Sequence, residues 1–446
     1  MSEIIVAGAG HGGIVAAKKL AEAGHSVTVY EKKPKESLGY EQYDAVDSRF
    51  FDYAGIDYPE HWKGNPNSLT FVPSGENPRP ITLPAEKNAN TLTMNRRELI
   101  RYLIALAEDA GVKFVYECEV TEALILGNRA VGIKAAGEKI YGDLVIDACG
   151  LFSSVRRSLP DFMCVKKDID KYDLLYTYRA YFKRNDNAEA PETRYNIHLK
   201  NDGTVGFCWL IGEDEWCDVL IGRFNKPDDG DILGTLNQLY EENPYMSKDL
   251  VRPPIYGTLP LRQPLPVFVA DGYAAIGDSA CMVSPLKGSG IGLSLMAAQM
   301  LADAVEADKE GYYDAESLWN YQFRYFKEAG FDCCRLAVAK NLLPFLTADE
   351  VSDFINSGII TTEEISALLN GGVGTIMSRK GISALKEKFK TLGEFASTRK
   401  KLIGVGTGVL RFTVLEPLMP NKYDRNDLRK WYNRYEDFFA AVRRQD

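Results

Sequence analysis

Histidine is scarce in this sequence: His11, His25, His61 and His198 are the four present, each isolated from the others. They support neither a Ser/His/Asp constellation for hydrolysis nor a pair at metal-ligand spacing. The eight cysteines offer no substitute, because they fall at irregular intervals without a CxxC pair. No metal site or disulfide framework is indicated, and reduced, mostly buried thiols are the expectation. Basic charge is short as well: 53 lysines and arginines face 62 acids, a formal net charge of -9. Such a chain repels nucleic acid and has no cationic stripe to follow a phosphate backbone. No apolar run reaches the roughly 18 residues that crossing a bilayer takes. The best candidate, Val409 to Met419, is interrupted by Arg411, Glu416 and Pro417. Ile4 to Ala7 already reads as a buried strand with no charged leader ahead of it, so the expected location is the cytoplasm.

What is present is a core-rich chain of 446 residues, 45% hydrophobic, long enough for two or three domains. It opens as a strand (Ile4 to Ala7), a glycine turn, a helix (about Gly13 to Ala23) and a second strand (Ser26 to Tyr30). A stretch from about Gly64 to Asn90, rich in Pro, Asn and Gly, reads as a long loop, followed by an amphipathic helix from about Asn95 to Ala110. Alternating apolar and polar residues between about Leu174 and Phe224 predict antiparallel strands. Beyond about Ala315 the pattern turns helical, with Gly371, Gly372, Pro417 and Pro420 as stop signals. Gly404, Gly406 and Gly408 imitate a phosphate loop, but no strand enters it, and a flexible or packing segment is expected there.

Gly8, Gly10 and Gly13, with His11 and Gly12 between them, form a GxGxxG that follows a strand and opens a helix. The glycines allow a tight turn, close approach to a pyrophosphate and close packing of helix on strand. Amides at the helix start can then hold a diphosphate, to which His11 could also donate, and Glu31 at the end of the next strand can accept both hydroxyls of a ribose. A second signal lies far along the chain. The segment Gly272 to Ala280 delivers Gly277 and Asp278 from a buried strand, and Pro285, Gly288, Ser289, Gly290, Ile291 and Gly292 lead into an apolar helix. An aspartate at such a strand end suits a ribityl hydroxyl, and a helix start beside a flavin would stabilise negative charge on the reduced ring.

These two elements are similar to those of the FAD-dependent oxidoreductases that include aromatic hydroxylases and geranylgeranyl reductases, over roughly residues 1 to 310. A third element, Gly142 to Gly150 with Ser153 and Arg156, resembles the family's mid-chain strand motif; Cys149 stands where hydroxylases usually carry aspartate. Arg96 resembles the family's arginine near FAD. Phe207, Trp209 and Gly222 match in register the aromatic segment of geranylgeranyl reductases, which implies a pocket for a long apolar chain, while two core aromatics would read the same way. The family's Cys-Gly-Asp-Ala is replaced here by Gln42, Tyr43, Asp44 and Ala45, so a thiol-based mechanism cannot be carried over.

The resemblance implies an α/β fold: a glutathione-reductase-like, Rossmann-type FAD domain (1–60, 88–160 and 255–310), a mixed-sheet substrate domain (61–87 and 161–254) and a helical C-terminal region (311–446) capping the pocket. It implies FAD as cofactor, with electrons from NAD(P)H or a small redox protein partner, and reduction of carbon–carbon double bonds in a hydrophobic isoprenoid or lipid substrate. No residue is identified as the catalytic acid. An FAD-dependent monooxygenase and a flavin-free prenyl-binding escort protein remain the alternatives. Arg399 to Lys401 ahead of Val409 to Met419 can touch a membrane surface peripherally, although a solvated helix end beside a core segment is the simpler reading.

Overall fold

The computed structural model describes residues 1–64, 68–73, 80–84, 90–185, 195–199, 206–213, 215–341, 347, 349–350 and 396–443. Four consecutive residues, Ile4 to Ala7, are all buried, as the continuous apolar run requires of a strand covered on both faces. Their strand, Glu3–Ala7, lies inside a six-stranded sheet ordered Val269–Ala270, Tyr273–Ala275, Leu144–Asp147, Glu3–Ala7, Ser26–Tyr30, Lys113–Val115. All pairings are parallel except that of the first two strands. The helix His11–Glu22 makes the first crossover and packs against the helices Arg96–Asp109 and Ile291–Ala307. A meander of Val120–Leu126, Arg129–Ala135 and Glu138–Tyr141 packs against the strand Leu144–Asp147.

The expected antiparallel region forms a seven-stranded sheet ordered Met246–Pro260, Leu174–Arg184, Trp216–Arg223, Gly206–Gly212, Tyr195–Leu199, Leu69–Pro73, Ile81–Leu83. Its last two strands correct the reading of Gly64 to Asn90 as a loop. Two short strands form there: Leu69–Pro73 pairs in parallel with Tyr195–Leu199 and antiparallel with Ile81–Leu83, which is the edge of the sheet. Turn-forming Pro, Asn and Gly between them hid so brief an alternation.

Side-chain alternation gives the large sheet two unlike faces. Tyr178, Ala180, Phe182, Cys208, Leu210, Cys217, Val219 and Ile221 join Ile232, Leu236 and Leu239 of the helix Asp229–Glu242 in an apolar core. The intervening residues, Thr177, Arg179, Tyr181, Phe207, Trp209, Asp218, Leu220 and Gly222, share the other face, because they oppose one another across the ladders.

The helices Ala315–Tyr325, Phe331–Lys340, Ala396–Leu415 and Arg425–Arg443 pack into the same core as the six-stranded sheet. Trp431 Nε1 donates to the Pro266 carbonyl (3.1 Å) and the Tyr435 hydroxyl to that of Pro264 (2.8 Å), fixing the chain just ahead of the second glycine motif. These helices thus brace that motif from behind. Gly404, Gly406 and Gly408 lie inside the helix Ala396–Leu415, where a Cβ on Gly408 would stand 2.9 Å from Val338 Cγ1, so packing is the role of that last glycine. Gly371 and Gly372 lie outside the described residues.

Candidate active site

The first glycine turn leaves the strand at Gly8, whose φ of 91° and lack of Cβ bring the chain against the neighbouring strand; a Cβ there would stand 2.6 Å from the Ala148 carbonyl oxygen. At Gly13 a Cβ would fall 2.5 Å from that of Ala148, so this glycine serves helix-on-strand packing. Gly10 is the N-cap and gives the helix no side-chain cap. Its first amides remain for an anion. Glu31 is 9% exposed; one oxygen accepts from the Ala9 amide and the other from the Lys33 amide, both at 2.9 Å. The His11 Nε2 is buried without a partner among the described residues, and burial, helped by Arg96, lowers its pKa to about 3. His11 is therefore a neutral ring at physiological pH.

The second glycine motif meets the first in space. A Cβ on Gly12 would stand 3.0 Å from Ile276 Cγ1 and from the Ser294 carbonyl oxygen. Gly277 takes φ 65°, and Asp278 follows it with its carboxyl pushed up by burial and pulled down by Arg96. A Cβ on Gly290 would approach the Met282 carbonyl oxygen to 3.2 Å and an Asp278 carboxylate oxygen to 3.6 Å. The loop from Pro285 through Gly288 and Ser289 is closed by two backbone hydrogen bonds, from the Ser284 amide to the Ser289 carbonyl and from the Gly288 amide to the Ser284 carbonyl, both at 2.9 Å. Gly290 begins the helix, again without a side-chain cap, ahead of Ile291; the Phe50 ring covers Gly292, 2.3 Å from where a Cβ would be.

Between the two motifs stands the mid-chain strand. Asp147 is fully buried and accepts from the hydroxyls of Ser153 (2.6 Å), Tyr273 (2.9 Å) and Ser279 (3.0 Å) and from the Cys149 amide (3.0 Å). Arg156, equally buried, donates to the carbonyls of Ser279 (2.6 Å) and Leu151 (2.5 Å). Both side chains tie strand ends together. The Cys149 thiol donates to the Ala7 carbonyl (3.3 Å), and burial holds its pKa far above the usual range, so it is not a nucleophile.

A chain of charge leads from this region to the large sheet. Arg96 Nε donates to Asp44 (2.5 Å), Arg179 reaches the other Asp44 oxygen (3.3 Å), and Arg179 also grips Asp218 through Nε (2.9 Å) and Nη2 (2.5 Å). Burial raises the Asp44 pKa, but Arg96 and Arg179 outweigh it and hold the carboxyl below its ordinary value; for Asp218, burial prevails over Arg179 and raises it. The Arg179 guanidinium also lies 5.2 Å from the centroid of the Trp209 ring, within cation–π range. Phe207 and Trp209 share the face expected of them, with centroids 6.5 Å apart, and the Phe207 ring rests on Gly222, 3.1 Å from where a Cβ would be. Sequence reasoning missed Arg179 and Asp218. The available signal was a charge of each sign inside otherwise apolar, alternating strands.

This arrangement fits a flavin dinucleotide in residue type: two uncapped helix starts, a ribose-ready carboxylate, an orphaned imidazole and glycines with no room for a side chain. A family model described as FAD dependent oxidoreductase matches residues 87–304, and one described as NAD(P)-binding Rossmann-like domain matches residues 6–62. The chain is 27% identical over 376 residues to digeranylgeranylglycerophospholipid reductase 1 of Methanopyrus kandleri, covering 80% of this chain and 94% of that one. The chain is an FAD-dependent oxidoreductase, similar to geranylgeranyl reductases. The digeranylgeranylglycerophospholipid reductase of Sulfolobus acidocaldarius shares 23% identity with this oxidoreductase, over 81% of this chain and 82% of that one. Among solved structures, a geranylgeranyl bacteriochlorophyll reductase-like protein of Thermoplasma acidophilum superposes with a TM-score of 0.72 at 18% identity, covering 91% and 99% of the chains. A myxobacterial chondrochloren halogenase, an FAD-dependent enzyme, shares the fold at a TM-score of 0.59 and 19% identity, over 77% of this chain and 83% of that one.

Proposed function

We propose that this flavoprotein reduces carbon–carbon double bonds of an isoprenoid lipid chain. The likeness to digeranylgeranylglycerophospholipid reductases over about four-fifths of the chain carries the reading, and the aromatic face of the large sheet supports it. In this reading Gly8, Gly10, His11, Gly12 and Gly13 hold the diphosphate and Glu31 the adenosine ribose. Asp278 takes a ribityl hydroxyl, while Gly277, Pro285 and Gly288 to Gly292 shape the seat of the ring. FAD, when bound and reduced, would supply the hydride to one carbon of the double bond, and a proton drawn from water would complete the other.

The protein's own part is orientation and exclusion of water. Phe207 and Trp209 present two ring faces to an apolar chain, and Gly222 leaves room for the Phe207 ring. Arg96, through Asp44 and Arg179, ties the flavin side to the Trp209 side. Positive and negative charges alternate along that line, so it adds little net charge beside an apolar substrate. With Asp44 ionised between two arginines, it is no proton donor near neutral pH.

The test is strictly anaerobic. FAD-loaded protein, reduced chemically, is mixed with a geranylgeranylated glycerophospholipid, and the lipid is weighed by mass spectrometry. Flavin reoxidation with hydrogen gained by the lipid is the expected result. Reoxidation that waits for oxygen and yields a hydroxylated product would overturn the reading in favour of a monooxygenase. The ribose assignment has its own readout: Glu31→Arg should lower FAD affinity at least ten-fold by titration, whereas unchanged affinity refutes it.

A further inference from the structure

We infer that the outer side of the helix Ala396–Leu415, together with the cationic groove beside it, is the surface by which the protein docks on an anionic lipid bilayer. This inference rests on the lipid-reductase reading for its purpose, though its geometry stands apart from the active site.

Ile403, Thr407, Leu410 and Val414 recur at the spacing of one helical face, and all are exposed. Val414 is 72% exposed, and Leu418, in the turn that follows, is 46% exposed. The opposite side of the helix is occupied: Val409, Phe412 and Leu415 are buried in the main core. A large aliphatic row left in water beside a packed core marks an interaction surface.

Charge next to that row selects its partner. Leu418 also lines an open groove, with Lys327, Lys430 and Arg434 on its walls and Phe323 at its side. Arg411 is exposed beside the stripe, and Lys422, Arg425 and Arg429, on the segment that supplies Lys430 and Arg434, are exposed as well. Two acids also line the groove, and both are paired: Glu416 with Arg335 at 2.6 Å and Asp427 with Lys430 at 2.9 Å. Between residues 421 and 434 five cations face two acids, in a chain whose net charge is -9. An apolar row bordered by cations in an acidic protein matches the boundary between acyl chains and phosphate headgroups. No helix among the described residues is long and apolar enough to span a membrane, so contact of this kind would be superficial.

The test is co-sedimentation of the full FAD-loaded chain with vesicles of phosphatidylcholine containing phosphatidylglycerol. Binding that weakens in high salt and on neutral vesicles is expected. Val414→Glu and the pair Lys430→Glu with Arg434→Glu should each reduce it; losing two cations is worth roughly 30-fold. These residues are exposed, and thermal melts together with reduction of detergent-solubilised lipid check that each variant is intact. Failure of wild-type protein to bind anionic vesicles, or binding untouched by both variants, would overturn the inference. Vesicle binding by this surface without lipid reduction would instead sink the reductase reading alone.

Discussion

Two buried carboxylates, one in each of the two large sheets, are satisfied in opposite ways. Asp147, at the end of a central strand, accepts from three hydroxyls and one amide. Asp218, in the large sheet, is gripped by the Arg179 guanidinium, which in turn reaches Asp44. Neutral donors fixed to four places in the chain make Asp147 a fastener of the fold. A charged partner makes Asp218 dependent on one long side chain, which also lies over the Trp209 ring. The contrast separates a side chain that fastens strand ends from one held in place by charge.

The largest effect should come from removing the shared cation. Arg179→Leu strands a buried carboxylate and should cost about 3–5 kcal/mol of stability, read from urea unfolding, with a shift in Trp fluorescence because Trp209 loses its lid. Asp147→Ala takes the acceptor from the buried Tyr273 and Ser153 hydroxyls, while Ser279 keeps the Gly150 carbonyl; it leaves neutral donors and no buried charge, so the loss should be smaller, about 2–3 kcal/mol. A larger loss at Asp147 than at Arg179 would reverse the comparison.

Acid titration sharpens it further. Burial and Arg96 hold His11 near 3 in the fold, while an unfolded imidazole takes up a proton below about 6.5. Stability should therefore fall as pH drops from 6.5 toward 3, and His11→Gln should flatten that slope. The smallest effects concern the two carboxylates on Arg179. Asp44, held below the ordinary value of 3.8, contributes stability that is lost as pH falls through its lower folded value; Asp218, raised, lowers stability while ionised, and that cost lifts in acid. Asp44→Asn should thus reduce the acid loss and Asp218→Asn increase it, in unfolding free energies measured from pH 6 to 3.

How much of this was legible depended on whether the signal was local. The glycine turns, Glu31, Asp278 and the helix behind Arg96 each announce themselves within a dozen residues, because turn geometry, capping and apolar periodicity are short-range. The meeting of the two glycine motifs could be expected only from family likeness. Arg179 and Asp218 are 39 residues apart and pair through strand register, which no spacing in the sequence encodes. Asp44 was noticed only as part of a segment lacking the family's cysteine; its two arginine partners come from a helix start and a distant strand. The short strands near Leu69 and Ile81 were lost among turn formers for a related reason: their partners supply most of what defines them.

The anchoring of Pro264 and Pro266 by the helix Arg425–Arg443 bears on the order in which the molecule is made. Pro266 leaves the ribosome 165 residues ahead of Trp431, the side chain that fastens it. The flavin end of the chain is thus synthesised well before its brace, and nascent protein must wait for that helix to acquire a firm seat. Firm seating of the cofactor is, on this account, a late event, and purified protein truncated before Trp431 should hold FAD more weakly than the full chain in a fluorescence titration.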